Sequence, residues 1–192
     1  MKYTEAVERY FESLGREIVK RAKRNLQDKK GETSLSRSIK FNLREIQGSK
    51  NYELEFSMDF YGNFVDKGVR GAGGEIKSGE NKGNWGGKRF YKTYKGKKRQ
   101  SPYIFGSRKS RGGSIYKGIE DFIKKKGIKG RDKKGRFITN KSLMFAITKV
   151  LWIKGIHGIS FFQKALQFGV STMPEDLGAA IKKDIIDNLT RE

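Results

Sequence analysis

The sequence predicts an α+β fold: an N-terminal amphipathic helix packed on a small antiparallel sheet, helices at the C-terminal end, and a long basic, glycine-rich insertion. Three observations predict it. Apolar residues recur at three- and four-residue steps near the start, switch to alternation over the next two segments, and return to the helical step after residue 140. A helix with one apolar stripe and a sheet with one apolar face both need cover, and each is the natural cover for the other.

Over residues 4–26, Val7, Phe11, Leu14, Ile18, Ala22 and Leu26 fall on one helical face. The run Asp28-Lys29-Lys30-Gly31-Glu32 ends this helix, with Gly31 supplying left-handed backbone at the stop. From Ser38 the period becomes two, with Ile39, Phe41 and Leu43 opposed to Lys40, Asn42 and Arg44. After a turn at Gly48-Ser49-Lys50-Asn51, Tyr52, Leu54, Phe56, Met58 and Phe60 alternate with Glu53, Glu55, Ser57 and Asp59. The two runs read as a hairpin whose Phe56 faces Phe11 and Ile18. Residues 61–68 close this half.

Further on, Ile115, Ile119, Phe122 and Ile123 have helical spacing, and the following Gly-Ile-Lys-Gly-Arg-Asp-Lys-Lys-Gly-Arg-Phe reads as an exposed basic loop. A helix begins at Asn140, aligns Leu143, Ile147, Val150 and Leu151, and stops at Gly155. Another runs from Ser160. A separate last helix begins near Thr172, with Pro174, Glu175 and Asp176 in its first turn and Leu177, Ile181, Ile185 and Leu189 on its apolar face.

The 192 residues include 43 Lys and Arg against 21 Asp and Glu, a net charge of +22. Such a balance makes binding to nucleic acid or to an acidic protein surface an expected property, while saying nothing about the fold. The charge is concentrated: residues 67–136 hold 23 basic and 5 acidic side chains together with 16 of the 24 glycines, leaving only +4 for the remainder. This divides the chain into a core domain, 1–68 with 138–192, and an insertion, 69–137. The insertion is expected to be poorly committed to regular structure, to order against an acidic partner and to act as an assembly arm.

No apolar stretch is long enough to span a bilayer, and the opening MKYTEAVERY carries acids where a secretion signal needs an apolar run. A soluble protein that stays where it is made is expected, with no membrane partner. Zero cysteines and one histidine leave no disulfide framework, no thiolate and no zinc cluster, so neither metal nor cofactor is expected.

Catalytic templates fail on similar counts, which points to a protein that is not an enzyme. His157 has no acid near it in sequence and reads as a structural or surface residue. Gly71-Ala72-Gly73-Gly74 lacks the last glycine of a dinucleotide loop, and neither Gly87-Lys88 nor Gly96-Lys97 has the upstream glycine of a phosphate loop, so these glycines read as flexible connection. One enzyme pattern survives. Asp59, followed by Glu75-Ile76-Lys77, has the order of a metal-dependent nuclease core, in which two carboxylates hold Mg²⁺ and a lysine faces the scissile phosphate.

The candidate contact residues are basic. Lys88, Arg89, Lys92, Lys95, Lys97, Lys98 and Arg99 interleave with Phe90, Tyr91 and Tyr94, and Arg108, Lys109 and Arg111 follow Tyr103 and Phe105. Cations neutralise phosphates and rings stack on bases, so the segment suits nucleic acid; an acidic protein neighbour or an ordinary solvated hairpin fits the same pattern.

Several segments, taken in order, resemble the neck and tail-completion (head-tail joining) proteins of tailed double-stranded DNA bacteriophages. Leu35-Ser36-Arg37-Ser38-Ile39 is similar to that family's Leu-x-x-Ser-Ile run into the sheet, and residues 61–68 to its Tyr-x-x-Phe-Val-acid-x-Gly segment. Residues 158–166 resemble the stretch in which an aromatic and an Ala-Leu pair begin the closing helix. Ser160 stands where a proline commonly precedes that aromatic, Thr33-Ser34 replaces a Thr-Gly placed one position differently, and the insertion has no counterpart. The resemblance implies a non-catalytic virion subunit, assembled in the cytoplasm of the bacterial host. Its partners would be copies of itself in a ring at the head-to-tail junction, the portal, adaptor or tail proteins, and the DNA passing through. The alternatives are a nucleic-acid-binding module and the metal-dependent nuclease.

Overall fold

The protein is described from a computed structural model covering residues 5–46, 51–77, 79–105 and 115–189. It is an α+β chain in two compact units: Met1–Asp66, Tyr91–Arg99 and Ile159–Glu192 make the first, Lys67–Phe90 and Gln100–Gly158 the second.

The first unit begins with α1 (Glu5–Lys30) and a five-residue helix, α2 (Ser34–Ser38). Val7, Leu14, Ile18, Ala22 and Leu26 are all buried, as their spacing predicts. Arg16 pairs with Glu12 at 2.8 Å and Arg21 with Glu17 at 2.7 Å, each pair spanning one turn. Gly31 ends α1 at φ +71°, its N–H donating to the Gln27 carbonyl at 2.7 Å. The expected run into the sheet is this second helix, opened by a reciprocal cap in which the Thr33 side chain accepts from the Ser36 amide and the Ser36 hydroxyl accepts from the Thr33 amide.

β1 (Lys40–Ile46) and β2 (Asn51–Ser57) pair antiparallel with Phe41 opposite Phe56 and Leu43 opposite Leu54. The turn expected at 48–50 lies outside the described residues. The apolar face is the expected one, and Phe56 packs against the buried cluster that includes Ile18, but the strand residue beside Phe11 is Tyr52, two same-face positions from Phe56. The Phe11 ring lies 5.5 Å from that of Tyr52, and Phe56 meets Phe162 at 5.5 Å. The alternation also stops sooner than expected: β2 ends at Ser57 and Phe60 is 62% exposed. Phe60 and Tyr61 instead lead into α3 (Gly62–Lys67), whose first turn is closed by Gly62 N–H to the Asp59 carbonyl and Val65 N–H to that of Tyr61.

α6 (Phe161–Leu189) is a single helix where two were expected. Pro174 lies inside it. Its ring removes one backbone donor, and the hydroxyls of Ser171 and Thr172 bond to carbonyls of the preceding turn, those of Phe168 and Gly169. The second half also turns a different face inward. Asp184 is 5% exposed, whereas Ile181 and Ile185 are 37% and 43% exposed. The cause is at the other end of the chain: the first amides of α1 have no acceptor within their own helix, and the Asp184 carboxylate takes those of Ala6 and Val7 at 2.9 and 3.2 Å. Leu14, Ile18, Ala22, Leu26, Leu35, Ile39, Phe161 and Ala165 form one buried cluster, each larger side chain contributing about 1.5–3 kcal/mol by leaving water.

In the second unit, β3 (Gly68–Arg70) pairs antiparallel with β8 (Gly155–His157), and β4 (Gly74–Ile76) with β5 (Gly83–Trp85). β6 (Phe90–Lys92) and β7 (Lys98–Gln100) make a further hairpin, whose residues 91–99 belong to the first unit. α4 (Ile115–Lys126) and α5 (Asn140–Lys154) have the bounds their periodicity predicts, with Thr139 and Gly155 as the caps of α5.

The segment expected to be poorly committed to regular structure holds five short strands beside the helix that the spacing of Ile115, Ile119, Phe122 and Ile123 predicts. The division of the chain also differs from the charge boundary. Residues 138–158 join the second unit through the β3–β8 ladder. Residues 91–99 join the first, where the Lys92 amide donates to Ser160 Oγ and the Tyr94 amide to Gln163 Oε1.

Candidate partner and nucleic-acid interface

The basic, aromatic-interleaved segment is the β6–β7 hairpin, and its turn explains the sequence. Gly96, at φ +73°, donates to the Thr93 carbonyl at 2.8 Å, while the Thr93 amide and hydroxyl both donate to the Lys97 carbonyl at 2.8 and 3.0 Å. A four-residue turn followed by a left-handed glycine is a common three-residue hairpin loop. It presents Lys92, Lys95, Lys97, Lys98 and Arg99 as exposed side chains, with Tyr94 37% exposed beside them. Lys88 is also exposed, just before β6.

Arg89 differs from its neighbours. Its Nη2 donates to the Gly155 carbonyl at 3.2 Å and its Nε is buried, and that burial lowers its pKa. It is a brace of the second unit, not an outward contact. Arg108, Lys109 and Arg111 lie outside the described residues.

A second turn of the same design follows α4. Gly135, at φ +79°, donates to the Asp132 carbonyl at 3.0 Å and the Asp132 amide to the Arg136 carbonyl at 2.8 Å. Asp132 stands where Thr93 stands in the first turn and does more. Its Oδ1 accepts from the amides of Lys134 and Arg136, both at 2.9 Å, and its Oδ2 from Arg136 Nε at 2.9 Å. The Arg136 amide above all, with its guanidinium and the Lys134 amide, holds this carboxyl below the usual range. The residue patterns Thr-Tyr-Lys-Gly-Lys and Asp-Lys-Lys-Gly-Arg carry the signal for both turns; the second was legible as a basic loop but not as a built hairpin.

The glycines that read as flexible connection are in part close-packed backbone. A Cβ on Gly71 would stand 2.1 Å from the Ile153 carbonyl oxygen, and one on Gly87 2.3 Å from that of Gly71. The crossing is fixed by hydrogen bonds from the amides of Ala72 and Gly73 to the carbonyls of Trp152 and Ile153. Chain passes chain here with no room for a side chain, which composition alone does not distinguish from looseness.

Asp59 lies in the turn after β2, in the first unit, where its amide donates to Ser38 Oγ at 3.0 Å; Glu75 is an exposed residue of β4, in the second, and Lys77 follows the end of that strand. Among the described residues no three His, Cys, Asp or Glu side chains stand close enough to hold a metal. His157 is exposed on β8, its pKa lowered by partial burial and then by Arg89.

Each unit also shows apolar surface. On α6, Val170, Ile181 and Ile185 are 45%, 37% and 43% exposed. On α5, Phe145 and Trp152 are exposed and line, with Ile115 and Tyr116, an open groove of about 540 Å³. Among the described residues no helix is long and apolar enough to cross a membrane. No family model matches the chain, and neither a curated protein nor a solved structure matches it.

Proposed function

We propose that the chain is a structural virion subunit of a tailed double-stranded DNA phage, a neck or tail-completion protein that forms a ring at the head-to-tail junction. The observation that carries this reading is a junction between the two segments, 61–68 and 158–166, that resemble that family. Asp66 and Phe162 are 96 positions apart, yet the buried Asp66 carboxylate accepts the Phe162 amide at 2.8 Å and that of Gln163 at 3.4 Å. The Ile159 and Ser160 amides donate to the Val65 and Asp66 carbonyls at 3.0 and 2.9 Å. Residues of both short motifs thus serve one purpose, to start the closing helix on the sheet side of the core.

Assembly is supported by the apolar side of α6. Val170, Ile181 and Ile185 lie on a helix whose other side is core, and exposed apolar surface of this kind marks sites of protein contact. A ring of like subunits uses one such surface per copy against a different surface of the next. Portal, adaptor or tail proteins, and the DNA in transit, would be the remaining neighbours.

Sedimentation of the purified full-length protein across a concentration series, alone and with a portal ring, tests this. High-order oligomer is expected, lost in an Ile181→Lys/Ile185→Lys variant whose melting temperature is unchanged. A strict monomer that ignores the portal ring would overturn the reading. If that monomer bound nucleic acid tightly, the second reading, a nucleic-acid-binding module, would stand; the two basic turns favour it.

A further inference from the structure

We infer that the finger formed by residues 129–137 is a nucleic-acid contact, with Lys133 and Lys134 on phosphates and the Phe137 ring against a base. This deepens the nucleic-acid reading by naming the contact, and it does not depend on the role in the virion.

The finger is anchored at both ends. Gly127 closes α4 at φ +62°, where its amide donates to the Lys124 carbonyl and the Ile128 amide to that of Ile123. At the other end, the Ile138 amide donates to the Gly130 carbonyl at 3.0 Å, one residue before the Thr139 cap of α5. Between these anchors stand five basic residues and a single acid, Asp132. That acid is consumed by the turn itself, as described above, so its charge is spent on shaping the loop and on Arg136. Arg131 is likewise placed, its Nη1 donating to the Gly135 carbonyl at 2.9 Å. Lys133 and Lys134 remain at the corner of the turn, both exposed.

Phe137 decides the class of partner. It is 62% exposed, and the Arg131 guanidinium lies 4.0 Å from its ring centroid, with Lys129 Nζ at 5.9 Å. A guanidinium on one side of an exposed ring prepares a three-layer stack with a flat π-surface on the other. A nucleobase supplies that surface and the adjoining phosphates supply the negative charge. An acidic peptide supplies carboxylates alone and leaves the ring in water. Because the turn is closed by its own hydrogen bonds, little loop ordering opposes binding.

The test uses the full-length protein and fluorescence anisotropy with a labelled 20-mer, single-stranded and as duplex, from 50 to 300 mM KCl. Lys133→Ala/Lys134→Ala is expected to lower the slope of log affinity against log salt by about 2, one phosphate contact per lysine. Phe137→Ala is expected to weaken binding about tenfold while leaving that slope unchanged. A larger Phe137 effect on the single strand identifies stacking on an unpaired base; a larger effect on the duplex identifies a wedge between base pairs. Either supports the contact. The comparison variant is Lys182→Ala/Lys183→Ala, which removes equal charge from exposed positions on α6. Equal losses in the two double variants would show that net charge, not the finger, binds the DNA. Wild-type binding by Phe137→Ala, or failure of wild type to bind either DNA while it binds polyglutamate, would also overturn the inference.

Discussion

Asp66 is 1% exposed, a position where a lone carboxylate is heavily penalised, and it is retained because two amides at the start of α6 require an acceptor. Asp184 does the same for α1, so each long helix of the first unit is capped by a buried acid from a distant part of the chain. Removing the Asp66 acceptor leaves those amides buried and unpaired. Asp66→Ala is therefore expected to destabilise the protein by about 2 kcal/mol, and Asp66→Asn by about half as much, since an amide oxygen still accepts. Urea unfolding followed by circular dichroism measures both; equal loss in the two variants would mean that charge, not hydrogen bonding, is what the helix start requires. Neither role was legible in the sequence. Asp66 stands in the sequence only as the acid of the 61–68 segment and Asp184 not at all, because a long-range cap leaves no periodic trace.

At the level of elements, α1 and β1 meet through a glycine. A Cβ on Gly15 would lie 2.5 Å from the Phe41 ring, and one on Gly169 of α6 would lie 2.6 Å from Ile18 Cδ1. Glycine inside a helix costs about 1 kcal/mol relative to alanine, and here the cost admits a ring and a close helix crossing. Gly178, also inside α6, has nothing within 4 Å of its missing Cβ. Opposite outcomes follow for one chemical change. Gly178→Ala is expected to stabilise by about 0.5–1 kcal/mol, and Gly15→Ala to destabilise by about 1–3 kcal/mol as the ring is displaced. Denaturation midpoints at constant slope measure both, and a stabilised Gly15→Ala variant would show that Phe41 repacks freely. The bounds of α1, α4 and α5 were readable because each has a strong period or a clear stop. The sequence reads as two helices here because Pro174 is a breaker by local rules, whereas in the fold a single helix runs through it with one backbone donor missing. The candidate contacts divide in the same way: exposed lysines of a hairpin were evident from alternation, whereas the inward Arg89 depends on a carbonyl 66 positions away.

For the whole molecule, the charge boundary near residue 69 lies within two or three residues of where the packing divides, but the one near residue 137 does not, since the second unit runs on to Gly158. Every residue of the main buried cluster comes from 1–66 or 159–192, so the first unit holds a complete core of its own. The two ends of what lies between are adjacent, because the Ser160 amide donates to the Asp66 carbonyl at 2.9 Å. A linker of a few residues spans that gap, and a shorter loop costs less entropy to close than the segment it replaces. Replacing residues 67–158 with a short Gly-Ser linker is therefore expected to leave a protein that melts cooperatively and keeps the far-ultraviolet signature of α1 and α6. What it loses beyond the second unit is the 91–99 hairpin, whose Lys92 and Tyr94 amides donate to Ser160 Oγ and Gln163 Oε1. Replacing 69–137 alone is expected to do worse. It removes the strand partner of Ile156 and the Gly71 crossing while keeping α5, and so strands an apolar helix without its cover. The two shortened proteins should thus differ in the unintuitive direction, the larger deletion being the more soluble and the more cooperative on heating. If the larger deletion fails to fold while the smaller one melts cooperatively, residues 138–158 belong to the core and the two-unit division is wrong.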